Sequence, residues 1–220
     1  HHGVTWHTEA MPRDTKHALD FLSTQLWLKT SDWYLAGGTA LALYFGHRKS
    51  VDLDFFLPEK EFAGEQLIAK LKTGDWHTDV FTEGTLYGRL GNAKVSFIVY
   101  PFFHSKKDPS WYGSVRVLSP EDIAVMKIIA ISGRGRKRDF VDLYWNLRHK
   151  EARVTLIRKL PDQCPDISRD YHHILNALMF CDAAGHNPRP TLFFNVHWRT
   201  VKQYFNRTVP LVAKEVMGLE

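Results

Sequence analysis

The chain has 220 residues, of which 44% are hydrophobic and 13% aromatic. That composition excludes a disordered or fibrous protein and allows one generous domain or a catalytic domain with a helical companion. The formal charge of +5 tilts the expected partners toward nucleotide or nucleic acid. Cys164 and Cys181 are too few for a disulfide framework or a zinc site, and no apolar run approaches the roughly 20 residues that span a bilayer. A cytoplasmic chain without a membrane partner is expected.

In chain order, the apolar residues Ala18, Leu19, Leu22, Leu26 and Trp27 recur at helical spacing and predict an amphipathic helix over 14–29. Residues 33–36 form a short strand that enters a Gly37-Gly38 turn. A compact helix over 39–45 is closed by Gly46. A strand over 50–57 stops at Pro58, and 59–72 is helical. Three strands follow, over 76–82, 85–90 and 94–100, with turns at Glu83-Gly84 and Gly91-Asn92. A polar loop over 104–110 precedes the apolar run 115–118. Ser119 then caps a helix whose first position is Pro120. Helices are expected over 121–132, 136–149, 151–160, 167–181 and 196–216, the last bent at Pro210. The fold class is therefore α+β, with a mixed-sheet domain over 1–118 followed by a helical domain over 119–220.

Residues 36–57 hold most of the functional information. They combine the small-residue turn Gly37-Gly38-Thr39, a basic cluster (His47, Arg48, Lys49), and Asp52-Leu53-Asp54 in a strand-like run. Side chains alternate along a strand, so Asp52 and Asp54 share a face while Leu53 and Phe55 point to the core. Two adjacent carboxylates repel each other and favour a bound cation. Hard oxygen ligands of this kind suit Mg²⁺ shared with substrate phosphates. A glycine-rich turn offers backbone N–H groups to an anion beside that metal.

A second constellation lies in the helical half. Lys127 is the only polar side chain between Ile123 and Ile131, a run apolar enough to be buried. An unpaired buried ammonium costs several kcal/mol, so a carboxylate or phosphate partner is expected. Arg134, Arg136, Lys137 and Arg138 crowd the opening of the next helix, where Asp139 and Asp142 share one face at i and i+3. The corner reads as an anion clamp if it faces Asp52 and Asp54. Blander readings stand beside it. Lys127 forms a structural bridge with Asp142, Arg138 pairs with Asp142 at i,i+4, or the basic run is a solvated turn. His47, His172 and His173 read as surface histidines. Trp145, Phe193, Phe194, Trp198 and Phe205 read as core.

These motifs together resemble the AbiEii-type nucleotidyltransferase toxins of type IV toxin–antitoxin systems, within the polymerase-β-like nucleotidyltransferase superfamily. The resemblance is carried by Gly37-Gly38-Thr39, then Arg48-x-Ser50-x-Asp52-x-Asp54-Phe55. Ser119-Pro120-x-Asp122 leading to Lys127, and Arg138-Asp139-x-x-Asp142-Leu143-Tyr144, extend it over about 33–147. It implies a minimal nucleotidyltransferase fold completed by a helical bundle. Asp52 and Asp54 would hold Mg²⁺ and the triphosphate of an NTP. Gly37, Gly38, Thr39, Arg48, Ser50 and Lys127 would form the nucleotide-binding set, and Asp139 or Asp142 would act as base or positioning group. For such a toxin the resemblance implies transfer of NMP to the 3′ end of tRNA, blocking translation, and a cognate antitoxin partner. Arg134, Arg136, Lys137 and Arg138 are the candidate RNA contacts. The alternatives are NMP transfer to a protein or small-molecule hydroxyl, and a catalytically weak nucleotide- or RNA-binding protein. The strand 94–99 marks a departure, because it offers Ser96 where members of the superfamily often carry a third carboxylate.

Overall fold

Alternation in the segment Leu53-Asp54-Phe55-Phe56-Leu57 sets the middle strand of the sheet. Leu53, Phe55 and Leu57 are buried while Asp54 and Phe56 are partly exposed, as a strand with one face in the core demands. The fold is that of a computed structural model, described over residues 3–149, 160, 162–164, 171–179 and 184–217. The described residues fall into two compact units, His1–Phe103 with Lys107–Ser119, and His104–Lys106 with Pro120–Glu220.

The first unit carries strands β1 (Tyr34–Ala36), β2 (Leu53–Leu57), β3 (Trp76–Thr82), β4 (Thr85–Leu90), β5 (Ala93–Val99), β6 (Ser110–Tyr112) and β7 (Val115–Val117). They form one seven-stranded sheet in the order β3-β4-β5-β2-β1-β7-β6. The β2–β5 and β1–β7 pairs are parallel, whereas β1–β2 and the hairpins are antiparallel. Helices α1 (Arg13–Ser23), α2 (Leu26–Lys29), α3 (Gly37–Phe45) and α4 (Gly64–Leu71), with a 3-10 turn at Thr8–Ala10, complete the described part of this unit. In its core Phe55 stacks on Phe97 at 5.0 Å, and Trp33 meets Phe97 edge-on at 5.2 Å. Each such buried side chain contributes about 1.5–3 kcal/mol.

The structure departs from the sequence expectations at four places in this unit. The helix over 14–29 is two helices, because Thr24 and Gln25 hydrogen-bond back to the Phe21 carbonyl and Gln25 turns extended. Such local side-chain bonds compete with the helical ladder. The helix over 59–72 begins only at Gly64, where a Cβ would lie 2.2 Å from Cζ of Phe81. Strand β2 starts at Leu53 rather than residue 50, since Ser50 gives its amide to Ala10 and Asp52 gives its carbonyl to Thr39. The strand β6 was not expected. It pairs with β7 across Gly113, whose φ of +57° suits a residue without a side chain. At the other sheet edge β3 carries a register shift between Thr78 and Val80, a device that blunts strand-to-strand aggregation.

The second unit contains α5 (Pro120–Arg134), α6 (Lys137–His149), α7 (Tyr171–Met179) and α8 (Trp198–Met217). The helix expected over 151–160 lies outside the described residues except at its last position, and that over 167–181 is described only as α7. Helix α8 continues through Pro210. Among the described residues no helix is long and apolar enough to cross a membrane. Phe205 is buried and meets Phe140 at 5.4 Å, as expected of core, but Phe193 is 52% exposed. Asp122 gathers segment 104–106 onto this unit. It accepts hydrogen bonds from Ser105 Oγ (2.9 Å), the Lys106 amide (3.2 Å) and Gln163 Nε2 (2.7 Å).

Cys164 is buried, and burial pushes its thiol up to about 12. The nucleophilic thiolate is therefore scarce at about pH 8. Iodoacetamide is expected to leave Cys164 intact in the folded protein and to label it in urea. Peptide mass spectrometry showing equal labelling in both would contradict its burial.

Candidate active site

Three strands converge on Asp54. In the sheet register it lies between Ala36 of β1 and Ser96 of β5. Ser96, itself 7% exposed, donates from Oγ to Asp54 Oδ1 at 2.6 Å. On the other side Gly37, with φ of +75°, turns the chain from β1 into α3, and a Cβ there would lie 3.3 Å from Asp54 Oδ2. Glycine is thus required twice, for its dihedral and for closeness to the carboxylate. Ala36 caps α3 without a side-chain acceptor. The first amides of that helix, from Gly37, Gly38 and Thr39, have no intrahelical partner by construction, and they carry the positive end of its dipole.

The hydroxyls of Thr39 and Ser50, both expected in the nucleotide-binding set, have partners within the protein. They are 2.6 Å apart, and Thr39 Oγ1 also donates to the Asp52 carbonyl. Both side chains are buried, so they pin the segment before β2 to the start of α3 and thereby place Asp52. Asp52 sits one residue ahead of the strand and is partly exposed. Among the described residues no hydrogen bond or salt bridge engages its carboxylate. Arg48 is 5% exposed and donates from Nη1 to the Lys49 carbonyl at 3.0 Å. His47 is 1% exposed rather than a surface residue, and its ring meets Phe45 at 6.3 Å.

Mg²⁺ takes one or two protein carboxylates and completes its shell with water and phosphate oxygens. Asp52 and Asp54 are a donor pair of that kind. Among the described residues no group of three or more His, Cys, Asp or Glu is placed to hold a metal unaided. The residues present therefore fit a cation brought in with phosphate.

The second unit brings together Lys127, Asp139 and Asp142. Lys127 Nζ lies 2.8 Å from Asp139 Oδ1 and 2.9 Å from Asp142 Oδ2. Asp142 is 0% exposed and the other two side chains nearly so. The anionic partner that burial demanded is thus a pair of carboxylates on α6. Asp139 Oδ2 also accepts the Arg136 amide at 3.0 Å, reaching back to the start of its own helix as in half of a capping box. The ion pair of Asp142 is with Lys127, not with Arg138. Of the basic run, Arg136 and Arg138 are exposed. Lys137 is buried, its ammonium bonded to the Gly185 carbonyl at 3.2 Å and 5.1 Å from the Trp198 ring centre. It is therefore no surface cation. His172 and His173 are exposed, as expected.

Sequence reasoning noticed Ser96 only as a missing acid. Its role as a donor to Asp54 depends on the β2–β5 register, which no local pattern encodes.

Comparison with known proteins bears on this arrangement. JHP933 from Helicobacter pylori has a similar fold, with a TM-score of 0.57 at 18% identity over 94% of this chain and 95% of that one. MenT4, a nucleotidyltransferase toxin from Mycobacterium tuberculosis H37Rv, matches with a TM-score of 0.52 at 13% identity over 92% of this chain and 86% of that one. An uncharacterized protein of Aquifex aeolicus (strain VF5) is 33% identical over 187 residues, covering 81% of this chain and 87% of its own. A family model described as "Nucleotidyl transferase AbiEii toxin, Type IV TA system" matches residues 20–85 and 90–213. With both the sheet that carries Asp54 and the helices that carry Lys127 inside the matched residues, the chain belongs to the AbiEii family of nucleotidyltransferase toxins.

Proposed function

We propose that this nucleotidyltransferase transfers an NMP unit from an NTP to the 3′-terminal hydroxyl of tRNA, in the cytoplasm, and is restrained there by a cognate antitoxin. The observation that carries the reading is Asp54, partly exposed on β2, oriented by Ser96 and set against the Gly37 turn that opens α3.

In the reaction the acceptor oxygen forms a bond to the α-phosphorus, the bond to the bridging oxygen breaks, and pyrophosphate leaves with the electron pair. The hydroxyl proton passes to solvent water or to a carboxylate, and the resemblance names Asp139 or Asp142 as base or positioning group. Asp52 and Asp54 would hold Mg²⁺, which when bound supplies charge neutralisation for the phosphates. The amides of Gly37, Gly38 and Thr39 favour negative charge at the helix start. Thr39 and Ser50 hold Asp52 in place, and buried Arg48 stiffens the segment between them. Lys127 is shared by two carboxylates. Its part in the reading is to set the positions of Asp139 and Asp142.

The test is incubation of the protein with each α-³²P-labelled NTP, Mg²⁺ and total tRNA. Label on tRNA is expected, and the labelled nucleotide names the substrate. Label on protein alone would transfer the reading to NMPylation, and bound NTP without transfer would leave a binding protein. Chelation of divalent cations is expected to abolish the label.

Arg136 and Arg138, exposed at the start of α6, are the proposed contacts to the RNA backbone, together with Arg134. Reversing both Arg136 and Arg138 to Glu is expected to weaken tRNA binding at low salt and to flatten the slope of log affinity against log salt by about 2. An unchanged slope in a filter-binding titration would remove this surface from the reading.

A further inference from the structure

Ser96 occupies the one position on β5 that stands directly beside Asp54 in the parallel pairing of β2 and β5. Its neighbours on that strand, Val95 and Phe97, are buried apolar residues. The residue is nine-tenths buried and its hydroxyl donates to Oδ1 at a short 2.6 Å. A hydrogen bond of this length to an ionised acceptor is of the stronger, charge-assisted kind. Across the carboxylate, Oδ2 lies beside Gly37, where even one added carbon would sit at 3.3 Å. The Ser96 hydroxyl thus orients the carboxyl group of Asp54 before any ligand arrives, while glycine at position 37 leaves room for Oδ2.

A carboxylate turns readily about its last bond. An unsupported one must lose that freedom when it takes a cation, whereas one already held does not. Partners that orient metal-binding side chains commonly change metal affinity by about 10–100-fold when removed. An acid at position 96 would add a third negative charge next to Asp54 and could not donate when ionised. A serine orients Asp54 without that repulsion.

We propose that Ser96 is a positioning residue that presets the Asp54 carboxylate for a divalent cation. This rests on the reading of Asp52 and Asp54 as the cation ligands. Ser96→Ala removes the donor, and Ser96→Thr keeps a hydroxyl on a strand that accepts β-branched residues.

The experiment is Mn²⁺ titration of the full chain with a fixed, saturating non-hydrolysable NTP analogue, followed by electron paramagnetic resonance against an analogue-only blank, for the parent, Ser96→Ala, Ser96→Thr and Asp54→Ala, with thermal unfolding of each. Ser96→Ala is expected to bind Mn²⁺ about tenfold more weakly, Ser96→Thr close to the parent, and Asp54→Ala not measurably. In transfer assays the Mg²⁺ concentration for half-maximal rate should rise in Ser96→Ala more than the rate at saturating Mg²⁺ falls. A merely structural hydroxyl would lower the unfolding temperature and leave the metal affinity of the folded protein alone. Parent-like Mn²⁺ binding by folded Ser96→Ala, with Asp54→Ala silent, would overturn the role of Ser96 and leave the cation site standing. Equal Mn²⁺ binding by the parent and Asp54→Ala, or none by the parent, would overturn the cation site and Ser96 with it.

Discussion

Replacing Asp54 with Asn is expected to lower NMP transfer by about a thousandfold, equivalent to about 4 kcal/mol of transition-state stabilisation, while leaving the fold intact. Asn keeps an oxygen for the Ser96 hydroxyl, so the bond across β2 and β5 survives and only the charge is lost. Asp52→Asn should act in the same direction, since Asp52 is held by its backbone through Thr39 and not by its side chain. The two changes together should cost little more than the worse one, because groups that act as a unit on one reaction do not add. Initial rates of labelled transfer, with unfolding curves measured alongside, decide the matter. A folded Asp54→Asn enzyme retaining a tenth or more of parent activity, roughly 1.4 kcal/mol or less lost, would sink the assignment.

The second large effect is on stability. Lys127→Met is expected to destabilise the protein by about 3–5 kcal/mol, because it removes the ammonium that both buried carboxylates share. Asp142 is 0% exposed and Asp139 only 12% by side chain, so water cannot take over the role of the ammonium. Against a total stability of about 5–15 kcal/mol, that loss unfolds much of the protein on mild heating. Asp139→Asn should cost less, since the Lys127–Asp142 ion pair remains and Asn can still accept the Arg136 amide. The triple change Lys127→Met with Asp139→Asn and Asp142→Leu should recover much of the loss, as apolar replacements of buried ion pairs do. Urea unfolding of the three variants provides the comparison. A Lys127→Met protein as stable as the parent would show that the ammonium is not needed to hold the corner together.

Both predictions also show what was legible before the fold. The Asp-x-Asp spacing, the turn glycines and a lone lysine in an apolar helix are local chemistry, and local chemistry survives in a linear pattern. Gly46 closing α3 in the left-handed region and the hairpin turns of β3 to β5 were legible for the same reason, since each follows from one residue's backbone freedom. The apparent continuity of the helix over 14–29 misled because Thr24 and Gln25 break the backbone ladder by side-chain bonds that periodicity does not register. The short β6 was missed because three residues are too few to show an alternation, and its pairing is decided by β7.

By itself the sequence determined the α+β class, the family, and the residue types from which the candidate site is made. Tertiary structure decided how each is used. It gave Thr39 and Ser50 to one another and to the backbone of Asp52, shared Lys127 between Asp139 and Asp142, withdrew Lys137 from the surface, and set Ser96 beside Asp54. The physical reason is the same in each case. Which polar groups meet depends on strand register and helix packing between residues far apart in the chain. A buried polar group takes whatever partner that packing supplies.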